Sequence, residues 1–171
     1  MESPRKEEIE EFEKFIITIN YLVVAKTREP SGVRPGDSIY FMIYDALYKK
    51  NKSKDWKDFA IALMWKIADR HPFLEGNKRT AFIVGKALLL ALGNALLLCN
   101  EDDGLKQMRY LADCSKQKSY NGIRRWFLIN STELPNKNLT EFEAYLQNVN
   151  LDRRRLIKKY LKSFELLING V

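Results

Sequence analysis

The sequence predicts an all-α protein, because apolar residues recur every three or four positions in most segments of its 171 residues. Clusters of proline and glycine separate these segments, as expected for loops between helices. The apolar fraction of 46% and the charged fraction of 30% are typical of a globular protein with a buried core. Together these observations predict a compact helical bundle.

The helices of the first half are predicted from their apolar stripes and their loop residues. The first stripe consists of Ile9, Phe12, Ile16, Ile19 and Val23. Residues 26–37 contain two prolines and two glycines, so we expect an exposed loop or a short hairpin there. Helical periodicity resumes over residues 38–50, and a further helix begins near Asp55, whose side chain can cap it.

The second half continues the helical pattern. A helix is predicted from about residue 77 to residue 92, and a short strand or extended segment from residue 95 to residue 99. The sequence NEDDG, residues 100–104, is predicted as a polar turn. Helical patterns follow over residues 103–116 and 119–130.

Residues 81–99 form an apolar segment almost as long as a membrane span. Lys86 lies in its first half, and the Gly93-Asn94 pair is a helix-stop signal well before its end, so a buried core helix fits better. The polar N-terminus does not resemble a signal peptide, and the two cysteines show no metal or redox spacing. We therefore expect a cytoplasmic protein that has reduced thiols and no membrane partner.

The C-terminal residues 133–171 are predicted to form a helical extension packed on a main domain of residues 1–132. Thr140 and Glu143 form a capping box, and a later apolar stripe consists of Ile157, Tyr160, Leu161, Phe164 and Ile168. Much of the net charge of +7 is local, since residues 149–171 contain six Lys and Arg. A solvated basic face is the more common meaning of such a pattern, and no nucleic-acid motif accompanies it. Nucleic acid is therefore not the expected partner.

The stretch HPFLEGNKRT, residues 71–80, gathers the single histidine, a carboxylate, a glycine, an amide and two cations between two apolar segments. His71 continues the apolar side of the preceding helix, and Pro72 ends that helix. A new helix then opens after a tight loop, and the dipole at its N-terminus favours anions. The free backbone N–H groups of that N-terminus belong to Gly76, Asn77 and Lys78.

The side chains of this stretch point to group transfer from a nucleoside triphosphate. Arg79 can hold a phosphate by a two-pronged contact, and Lys78 can add a point charge. Glu75 is an oxygen ligand of the kind that Mg²⁺ takes together with phosphates, and His71 could accept a proton from a hydroxyl. For any single residue a purely structural role is the stronger explanation. Their combination in one loop favours a functional site for this transfer.

The stretch HPFLEGNKR also resembles the Fic/Doc (Fido) signature, H-x-F-x-[DE]-G-N-[GK]-R. The specified positions that match are His71, Phe73, Glu75, Gly76, Asn77, Lys78 and Arg79. The resemblance covers about residues 8–130 and implies a helical domain whose signature loop joins two core helices. It also implies a flap near the histidine, and the loop at residues 26–37 comes early enough in the chain to form it.

The resemblance implies a role for each matched residue. His71 would be the general base that deprotonates a Ser, Thr or Tyr hydroxyl of a target protein, with ATP as the donor. Glu75 would hold Mg²⁺, Arg79 would bind phosphate, and Phe73 would anchor the loop in the core. The phosphate-binding anion hole would be formed by Gly76, Asn77 and Lys78.

Two departures from the Fic AMP-transferase pattern are similar to Doc, the toxin of a toxin–antitoxin pair. Lys78 stands where AMP-transferases have a glycine, and Phe82 stands where they have a later arginine. The segment SGVRPGDSIYFMIYDAL, residues 31–47, also resembles Doc. The Doc resemblance implies transfer of the γ-phosphoryl group, a translation elongation factor as target, and a separate antitoxin as partner.

Three functions stay open on the sequence alone. The first is γ-phosphoryl transfer to a protein. The second is AMP transfer, because Glu75-Gly76 keeps the acid–glycine pair of the Fic enzymes. The third is an inactive domain that serves as a binding module, against which the intact signature argues.

Overall fold

The computed structural model describes residues 6–25, 27–53, 55–92, 95–113 and 115–133. Their elements are, in chain order, α1 (Lys6–Ala25), α2 (Ile39–Ser53), α3 (Trp56–Arg70), α4 (Asn77–Ala91), β1 (Ala95–Leu97), α5 (Glu101–Ala112), α6 (Tyr120–Ile129) and β2 (Ser131–Glu133). The prediction of an all-α fold is confirmed. The predicted C-terminal extension beyond Glu133, the Gly93-Asn94 pair and Cys114 lie outside the described residues.

Two central helices, α3 and α4, organise the core. α3 packs against α2, α4, α5 and α6, and α4 also contacts α1 and β1. Residues 58–64 of α3 are buried on every side. In α4 the apolar run that begins at Ala81 is buried along most of its length, which explains its hydrophobicity. None of the helices in the described part of the chain is long and apolar enough to cross a membrane.

The first two helices cover α3 and α4 with their apolar faces. The predicted stripe of α1 is buried, and the ring of Phe12 lies 4.6 Å from the ring of Phe59 in α3. α2 extends three residues beyond the predicted end at residue 50. The predicted cap of α3 is confirmed, because an Asp55 carboxylate oxygen accepts the Lys57 backbone N–H at 2.8 Å.

The prediction of a polar turn at NEDDG is wrong, because residues 101–104 form the first turn of α5. The Asn100 side chain caps this helix by accepting the Asp103 N–H at 2.9 Å. Glycine is needed at position 104 inside the helix, because a Cβ there would come within 2.1 Å of the Phe82 ring. Close packing between α4 and α5, which the local sequence does not show, requires this glycine.

The extended segment predicted after α4 is confirmed as β1, and its partner β2 was not predicted. The strands are antiparallel, with Ala95 opposite Glu133 and Leu97 opposite Ser131. The proposed domain boundary after residue 132 stays a prediction.

A polar network joins the start of α3 to α6. The buried Asp58 carboxylate accepts hydrogen bonds from Arg124 Nε at 2.5 Å and from the Tyr120 hydroxyl at 3.0 Å. Burial raises the pKa of Asp58, but hydrogen bonds from Ser53, Arg124 and Tyr120 outweigh this effect and lower it. Asp58 is therefore an ionised residue that holds two helices together.

Candidate active site

His71 ends α3 in a left-handed backbone conformation, with φ 53° and ψ 54°. Pro72 disfavours helical geometry at the preceding residue, so the helix stops at Arg70 and the chain turns. Burial of the half-buried imidazole lowers the pKa of His71, and the charges of Lys78 and Arg34 lower it further against the opposing charge of Asp69. The side chain is thus neutral at pH 7 and can accept a proton.

The side chain of Asn77 fixes the signature loop. Its Oδ1 accepts the Phe73 backbone N–H at 2.8 Å, and its Nδ2 donates to the Phe73 carbonyl at 2.9 Å. Phe73 itself is fully buried, as its predicted role as core anchor requires. The Asn77 side chain therefore fixes the loop backbone, and only the Asn77 backbone N–H remains available to an anion.

The N-terminus of α4 is formed by Gly76, which has φ +75° and provides no side-chain cap. A Cβ at Gly76 would lie 2.8 Å from Val24 Cγ1, so the loop backbone packs directly on α1. Asn20 of α1 strengthens this contact. Its amide donates to the Glu75 carbonyl at 2.8 Å and to Thr80 Oγ1 at 3.2 Å.

The loop predicted as the flap lies against the signature loop. Val33 forms an antiparallel bridge with Phe73, the Arg34 N–H donates to the Pro72 carbonyl at 2.8 Å, and the Leu74 N–H donates to the Gly32 carbonyl at 3.0 Å. Among residues 27–38 the structure shows this pairing instead of a hairpin within the loop. The hydrogen bonds with Pro72 and Leu74 satisfy backbone groups of the flap loop that a hairpin would otherwise pair.

One cavity of about 300 Å³ brings the predicted site residues together. It is lined by His71 and all of residues 74–79, and two further elements contribute Arg34 from the flap loop and Leu105 and Arg109 from α5. Phe73 is buried outside this lining. Four basic side chains and one carboxylate therefore surround the cavity, which favours an anionic ligand.

Arg79 already contacts a carboxylate. It forms an ion pair with Glu29 of the flap loop, whose Oε2 also accepts the Thr27 hydroxyl at 2.6 Å. The Thr27 hydrogen bond, followed by that of Arg79, lowers the pKa of Glu29. A phosphate that binds Arg79 therefore competes with this carboxylate.

The sequence prediction missed four residues of this site. Arg109 and Leu105 lie outside the signature and carry no local signal. Arg34 belongs to the Doc-like segment but had been given no role, and Glu29 is one of many charged residues. Only the folded chain shows that they converge on the signature loop.

The Fic/DOC family model matches residues 7–89, which include α1 apart from its first residue, α2, α3, the signature loop and most of α4. No curated protein and no solved structure matches the chain. The match ends before β1 and α5, so it does not include Arg109. By the family model and by the position of the signature between α3 and α4, residues 7–89 of this chain are similar to the Fic/DOC family.

Proposed function

We propose that this chain is a Doc-like phosphotransferase that moves the γ-phosphoryl group of ATP to a hydroxyl side chain of a target protein. Fic/Doc proteins generally transfer AMP or phosphate groups onto proteins, and this chain keeps the family's signature. The observation that carries the proposal is that His71 and the N-terminus of α4 share one small, basic cavity.

His71 is the base of the proposed reaction. Its lowered pKa keeps the imidazole neutral at pH 7, so it can take the proton of the attacking hydroxyl as the new oxygen–phosphorus bond forms. The bond from the γ-phosphorus to the bridging oxygen breaks, and ADP leaves. The position of His71 in the cavity wall is consistent with this role.

The phosphate chain is bound by the start of α4. Gly76 leaves the first backbone N–H groups of the helix without a side-chain cap, and the helix dipole favours an anion there. Lys78 and Arg79 line the same cavity, and Arg79 becomes available when the phosphate displaces Glu29.

The residues present fit Mg²⁺ as well as ATP. The exposed Glu75 lies at the cavity, and Mg²⁺ in nucleotide sites commonly takes one or two carboxylates together with phosphate oxygens. When bound, Mg²⁺ would neutralise charge on the phosphates. Glu75 is the side chain that would hold it.

Lys78 is the reason for choosing γ-phosphoryl transfer. A lysine in place of glycine occupies part of the anion hole and adds a charge, so the triphosphate must bind in a different position and present a different phosphorus to the hydroxyl. AMP transfer is the second candidate, because Gly76 follows Glu75 as in the Fic enzymes and its φ of +75° suits glycine.

The target and the compartment are proposed by analogy alone. The Doc resemblance favours a translation elongation factor as target and a separate antitoxin as regulator. We place the reaction in the cytoplasm because the cysteines lack any disulfide or metal spacing.

The test is mass spectrometry of a proteome incubated with ATP, Mg²⁺ and either the wild-type protein or His71→Ala. The proposal predicts a phosphoryl-sized adduct on one protein, present only with the wild type. An adenylyl-sized adduct would replace it by the second candidate. If neither sample gave an adduct while ATP still stabilised the wild-type fold, the chain would be a nucleotide-binding module instead.

A further inference from the structure

Arg109 reaches the candidate active site because α5 packs closely on α4. Gly104 and Met108 are buried on the inner side of α5, and Gly104 meets the Phe82 ring directly. Leu105 and Arg109, four residues apart, share the neighbouring face of the helix. Both line the cavity that holds His71.

The charge of Arg109 is not balanced by any carboxylate that the structure describes. Within the described ranges no carboxylate lies within ion-pair distance of Arg109, of Arg34 or of Lys78. Arg79, in contrast, is paired with Glu29, and Lys106 on the same helix as Arg109 is paired with Asp103 at 3.1 Å. Lys106 thus has a partner, whereas Arg109, which is also exposed, has none among the described residues.

We propose that Arg109 is a phosphate-binding residue of this site and that the nucleotide phosphates lie between the N-terminus of α4 and α5. The inference rests on the proposed function and adds a contact outside the region matched by the family model. A nucleotide is favoured over an acidic target peptide because the cavity is small and two of its three other cations, Lys78 and Arg79, belong to the first turn of α4, whose N-terminus favours anions. Arg109 then neutralises part of the negative charge of the phosphates.

The test compares binding of ATP, AMP and inorganic tripolyphosphate, each with Mg²⁺, to three forms of the full chain by calorimetry. The forms are the wild type, Arg109→Ala and the matched control Lys106→Ala. Loss of one charged contact should weaken ATP and tripolyphosphate binding about tenfold in Arg109→Ala. AMP binding should change less because AMP has a single phosphate, and Lys106→Ala should bind all three probes as the wild type does.

The outcomes separate this inference from the proposed function. If the wild type binds ATP and Arg109→Ala binds it equally well, Arg109 has no part in nucleotide binding and the proposed function is unaffected. If the wild type binds neither ATP nor tripolyphosphate, both fail. If Arg109→Ala lost binding and its apo form also had a lower unfolding midpoint, Arg109 would have a structural role. In that case Arg109→Lys, which keeps the charge, should fail to restore part of the affinity for ATP.

Discussion

At the scale of single residues, the site depends on side chains that fix the loop as much as on those that contact a ligand. Asn77 uses both ends of its amide on the backbone of Phe73, and Asn20 binds the carbonyl of Glu75 from another helix. Gly76 then allows the loop to lie against α1. The positions of the proposed phosphate-binding groups therefore follow from buried polar contacts within the protein.

Gly76→Ala should destabilise the protein by about 3 kcal/mol, because a left-handed alanine is strained and its Cβ would collide with Val24. Gly36→Ala is the matched control. Gly36 has φ +88°, but a Cβ placed there would have no atom of the described residues within 4 Å, so only the backbone cost of about 1 kcal/mol is expected. Urea unfolding measures both free energies. Equal losses would mean that the contact with Val24 is unimportant.

The pKa of His71 can be measured directly, because it is the single histidine of the chain. An NMR titration should give a pKa below that of a free histidine, since burial and then the charges of Lys78 and Arg34 disfavour the imidazolium. Arg34→Ala should raise this pKa, and Lys106→Ala, which removes a charge already paired with Asp103, should leave it unchanged. An unchanged or lower pKa in Arg34→Ala would show that the flap arginine is not close to the imidazole.

At the scale of elements, three contacts set the shape of the site. The flap loop pairs with the signature loop through Val33 and Phe73, and α1 supports that loop through Asn20. The third contact, between Gly104 and Phe82, brings α5 and Arg109 to the cavity. The network around Asp58 joins α6 to α3, the helix that ends at His71.

Asp58→Ala should lower the free energy of unfolding by about 2 kcal/mol, because it removes the carboxylate that accepts from Arg124 Nε and Tyr120, leaving Arg124 only Asp55 and Tyr120 only the backbone carbonyl of residue 58. Asp45→Ala, which breaks an exposed ion pair with Lys66, should cost less than about 0.5 kcal/mol. Because the pKa of Asp58 is lowered in the folded protein, its stabilisation is present above the ordinary carboxyl pKa and is lost as the pH falls through the folded pKa. Urea unfolding at neutral and acidic pH should thus show the Asp58 effect shrinking at low pH, and a constant effect would contradict the ionic role.

At the scale of the whole molecule, the sequence predicts the helices better than it predicts their contacts. Apolar periodicity located α1 to α4, and Asp55 marked the start of α3, because these signals are local. The first turn of α5 was missed because Gly104 suggests a turn in the sequence, whereas in the structure glycine is required there by close packing against Phe82. The signature marked the loop and six residues of the cavity, but the convergence of Glu29, Arg34 and Arg109 on it depends on tertiary packing.

The most direct test of phosphoryl transfer is label transfer in a cell lysate with Mg²⁺ and ATP that carries radioactive phosphorus at either the γ or the α position. We predict that the wild-type protein labels a target from γ-labelled ATP only, and that His71→Ala labels nothing. Labelling from α-labelled ATP would contradict phosphoryl transfer and assign AMP transfer. Equal labelling by His71→Ala would contradict the role of His71 as the base.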